Sequence, residues 1–170
     1  MDLRQYIRDV PDFPAPGVLF RDITPLLKDP GAFEYVVEQM ADEAQARGAE
    51  TIVGIESRGF IFGCPVALRL DLPFIPVRKP GKLPAKRMSI EYSLEYGDSQ
   101  LDIHQDALAD GQRAVIIDDL LATGGTALAT AKLVELVGGE VAGLSFAVEL
   151  TALNGREALK DYPVASLLRY

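Results

Sequence analysis

The sequence predicts an α/β fold, a mainly parallel twisted sheet flanked by helices, on three observations. Short apolar runs rich in β-branched residues alternate along the chain with longer segments of helical periodicity. That alternation favours parallel strands joined by right-handed crossovers. The 170 residues are enough for one domain over 1–170 with a sizeable core, and no repeat or linker divides them.

The helical segments follow from spacing and from punctuation by glycine and proline. The clearest spans 32–47, where Phe33, Val36 and Met40 lie on one face and Gly48 ends the pattern. We predict helices over 3–10, 32–47, 59–70 and 126–137. We predict strands over 18–23, 51–55, 74–77, 114–117, 141–148 and 164–168, and a strand pair within 88–103.

Composition bounds the class of protein and its partners. Hydrophobic residues make up 48% and charged residues 25%, which is ordinary for a globular protein. The net charge of −8 argues against nucleic acid as a partner. No apolar run is long enough to span a membrane and the first residues are polar, so we expect a cytoplasmic location and no membrane partner. The single cysteine, Cys64, is expected to be a buried hydrophobe.

The most informative stretch is residues 114–126, which read AVIIDDLLATGGT. An apolar run ends in two carboxylates, and a turn with two glycines and two threonines leads into a helix. Consecutive amides in such a turn, together with the helix N-terminus, favour a phosphate anion. Asp118 and Asp119 would repel that phosphate, so they suit the hydroxyls of a ribose. The stretch therefore predicts a ribose 5-phosphate site.

Two other interpretations of this stretch compete with a sugar phosphate site. It is compatible with a simple turn and helix cap, with Thr123 as the capping residue. An acidic strand also occurs in nucleoside triphosphatases, but these need a G-x-x-x-x-G-K-[ST] loop. Gly81-Lys82 is the chain's one Gly-Lys pair and Leu83 follows it, which excludes that loop.

Two further segments supply positive charge. Five of the 17 Lys and Arg residues fall within 78–87, among glycine and prolines. The loop is either a solvated charge run or a clamp for a strongly anionic group such as pyrophosphate. Residues 56–59 follow a predicted strand and precede a helix, so the Arg58 side chain and nearby amides are candidates for binding further phosphate oxygens. In the segment 92–97 that follows the loop, residue chemistry alone leaves a catalytic role for Glu95 open.

The run 115–126 resembles the phosphoribosyl pyrophosphate motif of the type I phosphoribosyltransferases. Three further segments, 13–25, 78–84 and 92–97, resemble the adenine-specific branch of that family, and the match covers nearly the whole chain. The resemblance implies a type I phosphoribosyltransferase-like fold with an N-terminal hood over about 1–30 and a flexible β-arm loop. It also implies a Mg²⁺-dependent reaction of adenine with phosphoribosyl pyrophosphate that gives AMP and pyrophosphate.

The resemblance also assigns roles to residues. The ribose and the 5′-phosphate would be bound by Asp118, Asp119, Ala122, Thr123, Gly124, Gly125 and Thr126. Pyrophosphate would be bound by Arg58, Lys79 and Lys82, with the two lysines available from a neighbouring subunit. Adenine would stack on Phe20 and meet backbone groups of Leu19 and Arg21. Glu95 would act as the acid/base on the purine.

The cofactor and assembly complete these expectations. Mg²⁺ usually keeps several waters and uses few carboxylates, so we expect substrate oxygens and water to bind it and name no direct protein ligand. The family resemblance implies a homodimer. Two alternatives remain: a regulatory nucleotide-binding protein with the same fold, and an enzyme of other purine specificity.

Overall fold

Nine strands and five helices make up the part of the chain that the computed structural model describes, residues 1–94 and 97–170. The strands are β1 Arg8–Pro11, β2 Leu19–Asp22, β3 Thr51–Ile55, β4 Phe74–Val77, β5 Arg87–Leu94, β6 Gly97–His104, β7 Arg113–Leu121, β8 Glu140–Glu149 and β9 Val164–Arg169. The helices are α1 Thr24–Lys28, α2 Pro30–Ala46, α3 Gly59–Leu70, α4 Gly125–Leu136 and α5 Gly155–Ala158.

The central sheet has five parallel strands in the order β4-β3-β7-β8-β9. Its middle strands are buried on both faces, which explains their continuous apolar runs. Val115 and Ile117 pack with α2 and α3 on one side, and Ala114 and Ile116 pack with α4 on the other. Because all five strands run the same way, the carboxyl ends of β3, β4 and β7 lie along one edge of the sheet.

Two antiparallel pairs stand outside this sheet. β1 pairs with β2 near the N-terminus, and β5 pairs with β6 in a hairpin that packs on α4. An isolated bridge between Arg78 and Asp102 attaches β6 to the chain just after β4. The pair formed by β5 and β6, the predicted β-arm, is thus attached through α4 and this bridge. The pair formed by β1 and β2 lies in the segment predicted as the N-terminal hood.

Local sequence patterns located most elements correctly. The predicted bounds 51–55, 59–70 and 74–77 coincide with β3, α3 and β4. The predicted helix over 3–10 is wrong, because 8–11 pairs with 19–22 as β1 and only a short 3₁₀ turn, Leu3–Tyr6, precedes it.

The strand predicted over 114–117 is too short. β7 continues to Leu121 because its backbone stays paired with β8 as far as Glu149. Asp118 and Asp119 therefore lie inside the strand rather than after it.

The expectation for Cys64 is also wrong, since its side chain is exposed on α3. The phase of the helix gives the buried face to Phe62, Val66 and Ala67 instead. Across the described ranges, no helix combines the length and the apolar character needed to cross a bilayer.

Candidate active site

A cleft of about 350 Å³ lies at the carboxyl edge of the sheet. Ligands of open parallel sheets bind at this edge, beyond the strand ends. The β3 end, the segment after β4, the hairpin and the whole motif turn contribute to it. Its lining residues are Glu56, Ser57, Arg58, Lys79, Tyr92, Ser99, Leu101, Asp118, Asp119, Leu120, Leu121, Ala122, Thr123, Gly124, Gly125, Thr126 and Ala127.

The motif turn has the geometry of an anion site. Gly124 adopts a φ of +87°, which side chains disfavour, and a Cβ there would lie 2.5 Å from the carbonyl oxygen of Gly155. α4 begins at Gly125 without a side-chain capping bond, so its first amides are available to a ligand. Thr123 and Thr126 add hydroxyls to the same lining. All five residues predicted to bind the 5′-phosphate, Ala122 to Thr126, therefore line one cleft.

The carboxylate pair lies beside the N-terminus of α3. Asp119 is only 3% exposed, and its Oδ2 is 2.9 Å from Nε of Arg58. The two groups form an ion pair, yet Oδ2 is a buried oxygen that accepts no hydrogen bond from the described residues. α3 approaches this closely because residue 59 is glycine: a Cβ there would lie 2.7 Å from the carbonyl oxygen of Ile117.

The buried carboxyl groups of Asp118 and Asp119 both ionise less readily than carboxyl groups in water. Burial raises the pKa of Asp118 well above its ordinary value, and the negative charge of Asp119 raises it further. Burial also raises the pKa of Asp119, while the Arg58 guanidinium partly offsets that increase. Hydroxyl donors or a cation placed at this pair would stabilise both charges.

Glu56 joins the ends of β3 and β4. Its carboxylate accepts hydrogen bonds from the backbone N–H of Lys79 at 2.9 Å and from the Arg78 guanidinium at 3.2 and 3.3 Å. Burial alone would raise the pKa of Glu56, but these hydrogen bonds outweigh it and hold the pKa below its ordinary value. Glu56 thus positions the start of the basic loop at the cleft.

The five cations of the basic loop separate into different roles. Arg78 is bound to Glu56, and Arg87 lies 3.1 Å from the buried Asp102. Lys79 lines the cleft. The exposed Lys82 is not among the described residues that line it. Of the residues predicted to bind pyrophosphate, the structure therefore brings Arg58 and Lys79 into the cleft and leaves Lys82 outside.

The N-terminal hood lies at the rim of the cleft. The Arg58 guanidinium is 5.9 Å from the centre of the Phe20 ring, and Phe13 packs edge-on against that ring. Arg21 directs its side chain away from the cleft, towards Asp9 and over the ring of Tyr170 at 3.8 Å. Among the described strands, β2 pairs with β1 alone, so its other edge presents backbone groups. This arrangement suits the backbone role predicted for Leu19 and Arg21.

The hairpin contributes residues that sequence reasoning did not single out. Tyr92, Ser99 and Leu101 line the cleft, and the Tyr92 hydroxyl is 3.2 Å from Oγ1 of Thr126. Only the alternation of the strand distinguished Tyr92 in the sequence, and alternation does not identify a partner. The predicted acid/base residue Glu95 lies outside the described residues.

Comparisons with known proteins agree with this geometry. The model of the phosphoribosyl transferase domain matches residues 27–167. An adenine phosphoribosyltransferase of Gloeobacter violaceus is 58% identical over 99% of this chain and 98% of its own. The hood residues before 27 lie outside the domain match but inside this full-length alignment.

Solved structures give the same result. The adenine phosphoribosyltransferase of Thermoanaerobacter pseudethanolicus has a TM-score of 0.96 and 53% identity over 99% of this chain and 98% of its own. The enzyme of Saccharomyces cerevisiae, solved with an imino-altritol bisphosphate and adenine, has a TM-score of 0.93 and 38% identity over 98% and 96%. The type I phosphoribosyltransferase fold predicted from the sequence is confirmed. The chain belongs to the adenine phosphoribosyltransferase family.

Proposed function

We propose that the protein transfers the 5-phosphoribosyl group of phosphoribosyl pyrophosphate to adenine and releases AMP and pyrophosphate, a step of purine salvage. The observation that carries this function is the convergence of three unlike elements on one cleft. The phosphate-binding turn, the buried carboxylate pair and the cations Arg58 and Lys79 line the same cleft, with Arg58 2.9 Å from Asp119. The aromatic hood residue Phe20 lies at the rim beside Arg58.

The sugar phosphate occupies the motif half of the cleft in this proposal. The 5′-phosphate accepts hydrogen bonds from the amides and hydroxyls of the turn from Ala122 to Thr126. Asp118 and Asp119 accept hydrogen bonds from the ribose hydroxyls. Support comes from the buried Oδ2 of Asp119, which accepts no hydrogen bond from any residue that the structure describes.

Pyrophosphate and base occupy the part of the cleft around Arg58, between the carboxylate pair and Phe20. Arg58 and Lys79 bind the pyrophosphate, where charge-assisted hydrogen bonds stabilise the negative charge as it develops. Lys82 joins them from a neighbouring subunit. Adenine stacks on Phe20 and meets backbone groups of Leu19 and Arg21. The rim position of Phe20 and the unpaired edge of β2 support this placement.

The chemistry follows from where charge appears. Breaking the bond at ribose C1 develops positive charge on the sugar, as in glycoside cleavage. The nearby carboxylates of Asp118 and Asp119 favour that charge, while Arg58 and Lys79 favour the leaving group. Glu95 holds and moves the proton on the purine ring. Closure of the hairpin over the cleft excludes the water that would hydrolyse the sugar.

The cleft fits a magnesium ion that is bound largely by substrate. Mg²⁺ suits such a site because it keeps waters and takes few carboxylates. Asp118 and Asp119 would hold its water shell, because Glu56, the other carboxylate in the described lining, is already bound to Arg78 and Lys79. We assign no direct protein ligand. The ion supplies neutralisation of the pyrophosphate charge.

The test is to incubate the protein with Mg²⁺, phosphoribosyl pyrophosphate and each purine base in turn. AMP should form from adenine, and EDTA should abolish its formation. No AMP would overturn the proposed function and favour a regulatory protein of the same fold. IMP from hypoxanthine at a similar rate would overturn the base specificity.

A second experiment addresses Glu95. Glu95→Gln should lower kcat and leave binding of phosphoribosyl pyrophosphate nearly intact, because the side chain is assigned to the base rather than to the sugar phosphate. Binding is measured by calorimetry and turnover by AMP formation. Unchanged turnover would remove Glu95 from the mechanism.

We also propose a homodimer, supported by an apolar stripe on α3. Ile61, Cys64 and Leu68 recur at helical spacing on its exposed face, and Leu68 is 84% exposed. Leu68→Glu should produce a monomer by analytical ultracentrifugation. Leu136→Glu, at another exposed leucine, is the matched control. A wild-type monomer would contradict the proposal.

A cytoplasmic location stays a prediction from the sequence.

A further inference from the structure

One contact joins the hairpin to the phosphate-binding turn. Tyr92 on β5 is half-buried and lines the cleft, and its hydroxyl lies 3.2 Å from Oγ1 of Thr126 in the first turn of α4. The two residues are 34 positions apart in the sequence. α4 packs directly on β5, so the two hydroxyls are held together by the fold rather than by a loop.

The acidities of the two hydroxyls indicate which of them donates the hydrogen bond in this contact. Each carries one proton, and the phenol is the better donor of the two because it is the stronger acid. When Tyr92 donates to Thr126, the threonine proton is free for a third group. The backbone carbonyl of Thr126 is already occupied by the Thr130 hydroxyl at 2.9 Å.

The other acceptor to consider for the Thr126 hydroxyl proton is a backbone carbonyl three or four residues earlier. Threonine hydroxyls in helices commonly donate to the carbonyl three or four residues earlier. Here those carbonyls belong to Thr123 and Ala122, within the turn itself. Both residues precede α4, which begins at Gly125, so the Thr126 hydroxyl is not committed to a helical carbonyl and its proton is available to a ligand.

We propose that Tyr92 is a positioning residue that orients the Thr126 hydroxyl to donate to the 5′-phosphate. This inference rests on the proposed function for the identity of the anion. The relay runs from the Tyr92 hydroxyl to Thr126 and from Thr126 to a phosphate oxygen, and each bond polarises the next. The same contact fixes the base of the hairpin on the phosphate turn, so binding of the anion strengthens the attachment of β5.

Tyr92→Phe is the test, because it removes one oxygen and keeps the ring. Calorimetry with ribose 5-phosphate should give a Kd about threefold to tenfold higher than wild type, the range expected for loss of one hydrogen bond to a charged acceptor network. In steady-state assays the KM for phosphoribosyl pyrophosphate should rise by a similar factor. The KM for adenine should stay unchanged, which a general loss of structure would not produce.

A matched control and a double variant separate positioning from folding. Tyr162→Phe also loses a phenolic hydrogen bond, to Glu135 outside the cleft, and should bind ribose 5-phosphate like wild type. Thr126→Val should weaken binding, and Tyr92→Phe should cost nothing further in the Thr126→Val background. Melting temperatures check that each variant is folded.

The outcomes distinguish this inference from the proposed function. Unchanged ribose 5-phosphate affinity in Tyr92→Phe would overturn the inference while AMP formation stands. Additive losses in the double variant would overturn it as well, since the two hydroxyls would then act independently. Absence of AMP formation by wild type would overturn the proposed function, and ribose 5-phosphate binding would still test the relay.

Discussion

Gly155→Ala tests whether α5 supports the phosphate-binding turn. Gly155 begins α5, and a Cβ at this position would lie 2.3 Å from the carbonyl oxygen of Ala122 and 2.9 Å from the Leu121 side chain. The contact is reciprocal, because a Cβ on Gly124 would lie 2.5 Å from the Gly155 carbonyl oxygen. Two glycines thus allow two backbone segments to touch.

The size of the effect of Gly155→Ala depends on whether α5 or the turn moves to relieve the overlap. The Arg156 guanidinium donates two hydrogen bonds of 2.8 Å to the Glu149 carboxylate, which holds α5 in place. The turn must therefore retreat by about 0.7 Å to restore a 3.0 Å contact with Ala122. Displacements of about 1 Å in a positioned site cost up to about 100-fold in rate. Overpacking of this kind also costs about 1–3 kcal/mol of folding free energy.

The assay is steady-state AMP formation at saturating adenine. Gly155→Ala should lower kcat/KM for phosphoribosyl pyrophosphate by about 10- to 100-fold, with little change in the KM for adenine. Gly31→Ala in the first turn of α2 is the control, because its nearest neighbour is an ordinary 3.5 Å away. Wild-type kcat/KM in Gly155→Ala would refute the idea that α5 fixes the turn.

Two further predictions concern pH and stability. Burial and the Asp119 charge raise the pKa of Asp118 above its ordinary value of 3.8. The folded state is therefore destabilised at pH values above 3.8, where the carboxyl group would ionise in the unfolded chain. Asp118→Asn should therefore raise Tm at pH 7.5 and lower turnover. The gain in Tm should vanish below about pH 4, where the carboxyl group is protonated in both states. A lower Tm at pH 7.5 would contradict this prediction. Hydrogen bonds from Arg156 lower the pKa of Glu149 from 4.5 to about 2, a stabilisation fully present above pH 4.5 and lost as pH falls towards 2. Glu149→Gln should cost about 2–3 kcal/mol in urea unfolding at pH 7 and much less at pH 3; equal midpoints at pH 7 would rule out this role.

Elements defined by short-range patterns were predictable. β3, α3 and β4 have the predicted bounds because each is marked within its own few residues by apolar runs, glycine or proline. The segment 8–11 was not, because its conformation depends on pairing with 19–22 across a loop. The exposure of Cys64 likewise depends on which face of α3 meets the sheet.

The features of the candidate site also separate into those that the sequence predicted and those that it did not. The turn from Ala122 to Thr126 was predictable as part of the site because its amides, glycines and hydroxyls are contiguous in the chain, and the turn does line the cleft. The contact between Arg58 and Asp119, the contact between Tyr92 and Thr126, and the packing of Gly155 were not. Each joins residues from different elements, and no local pattern records which elements become neighbours.

The sequence alone therefore determined the fold class, the family and the glycine turn that lines the cleft, since all three rest on contiguous motifs and periodicity. Only the tertiary structure decided which cations face the cleft, with Lys79 inside and Lys82 outside the described lining. It also decided the ionisation of Asp118, because a pKa depends on burial and on the distance to other charges. Distance and burial exist only once the strands are assembled, and they set the chemistry of this cleft.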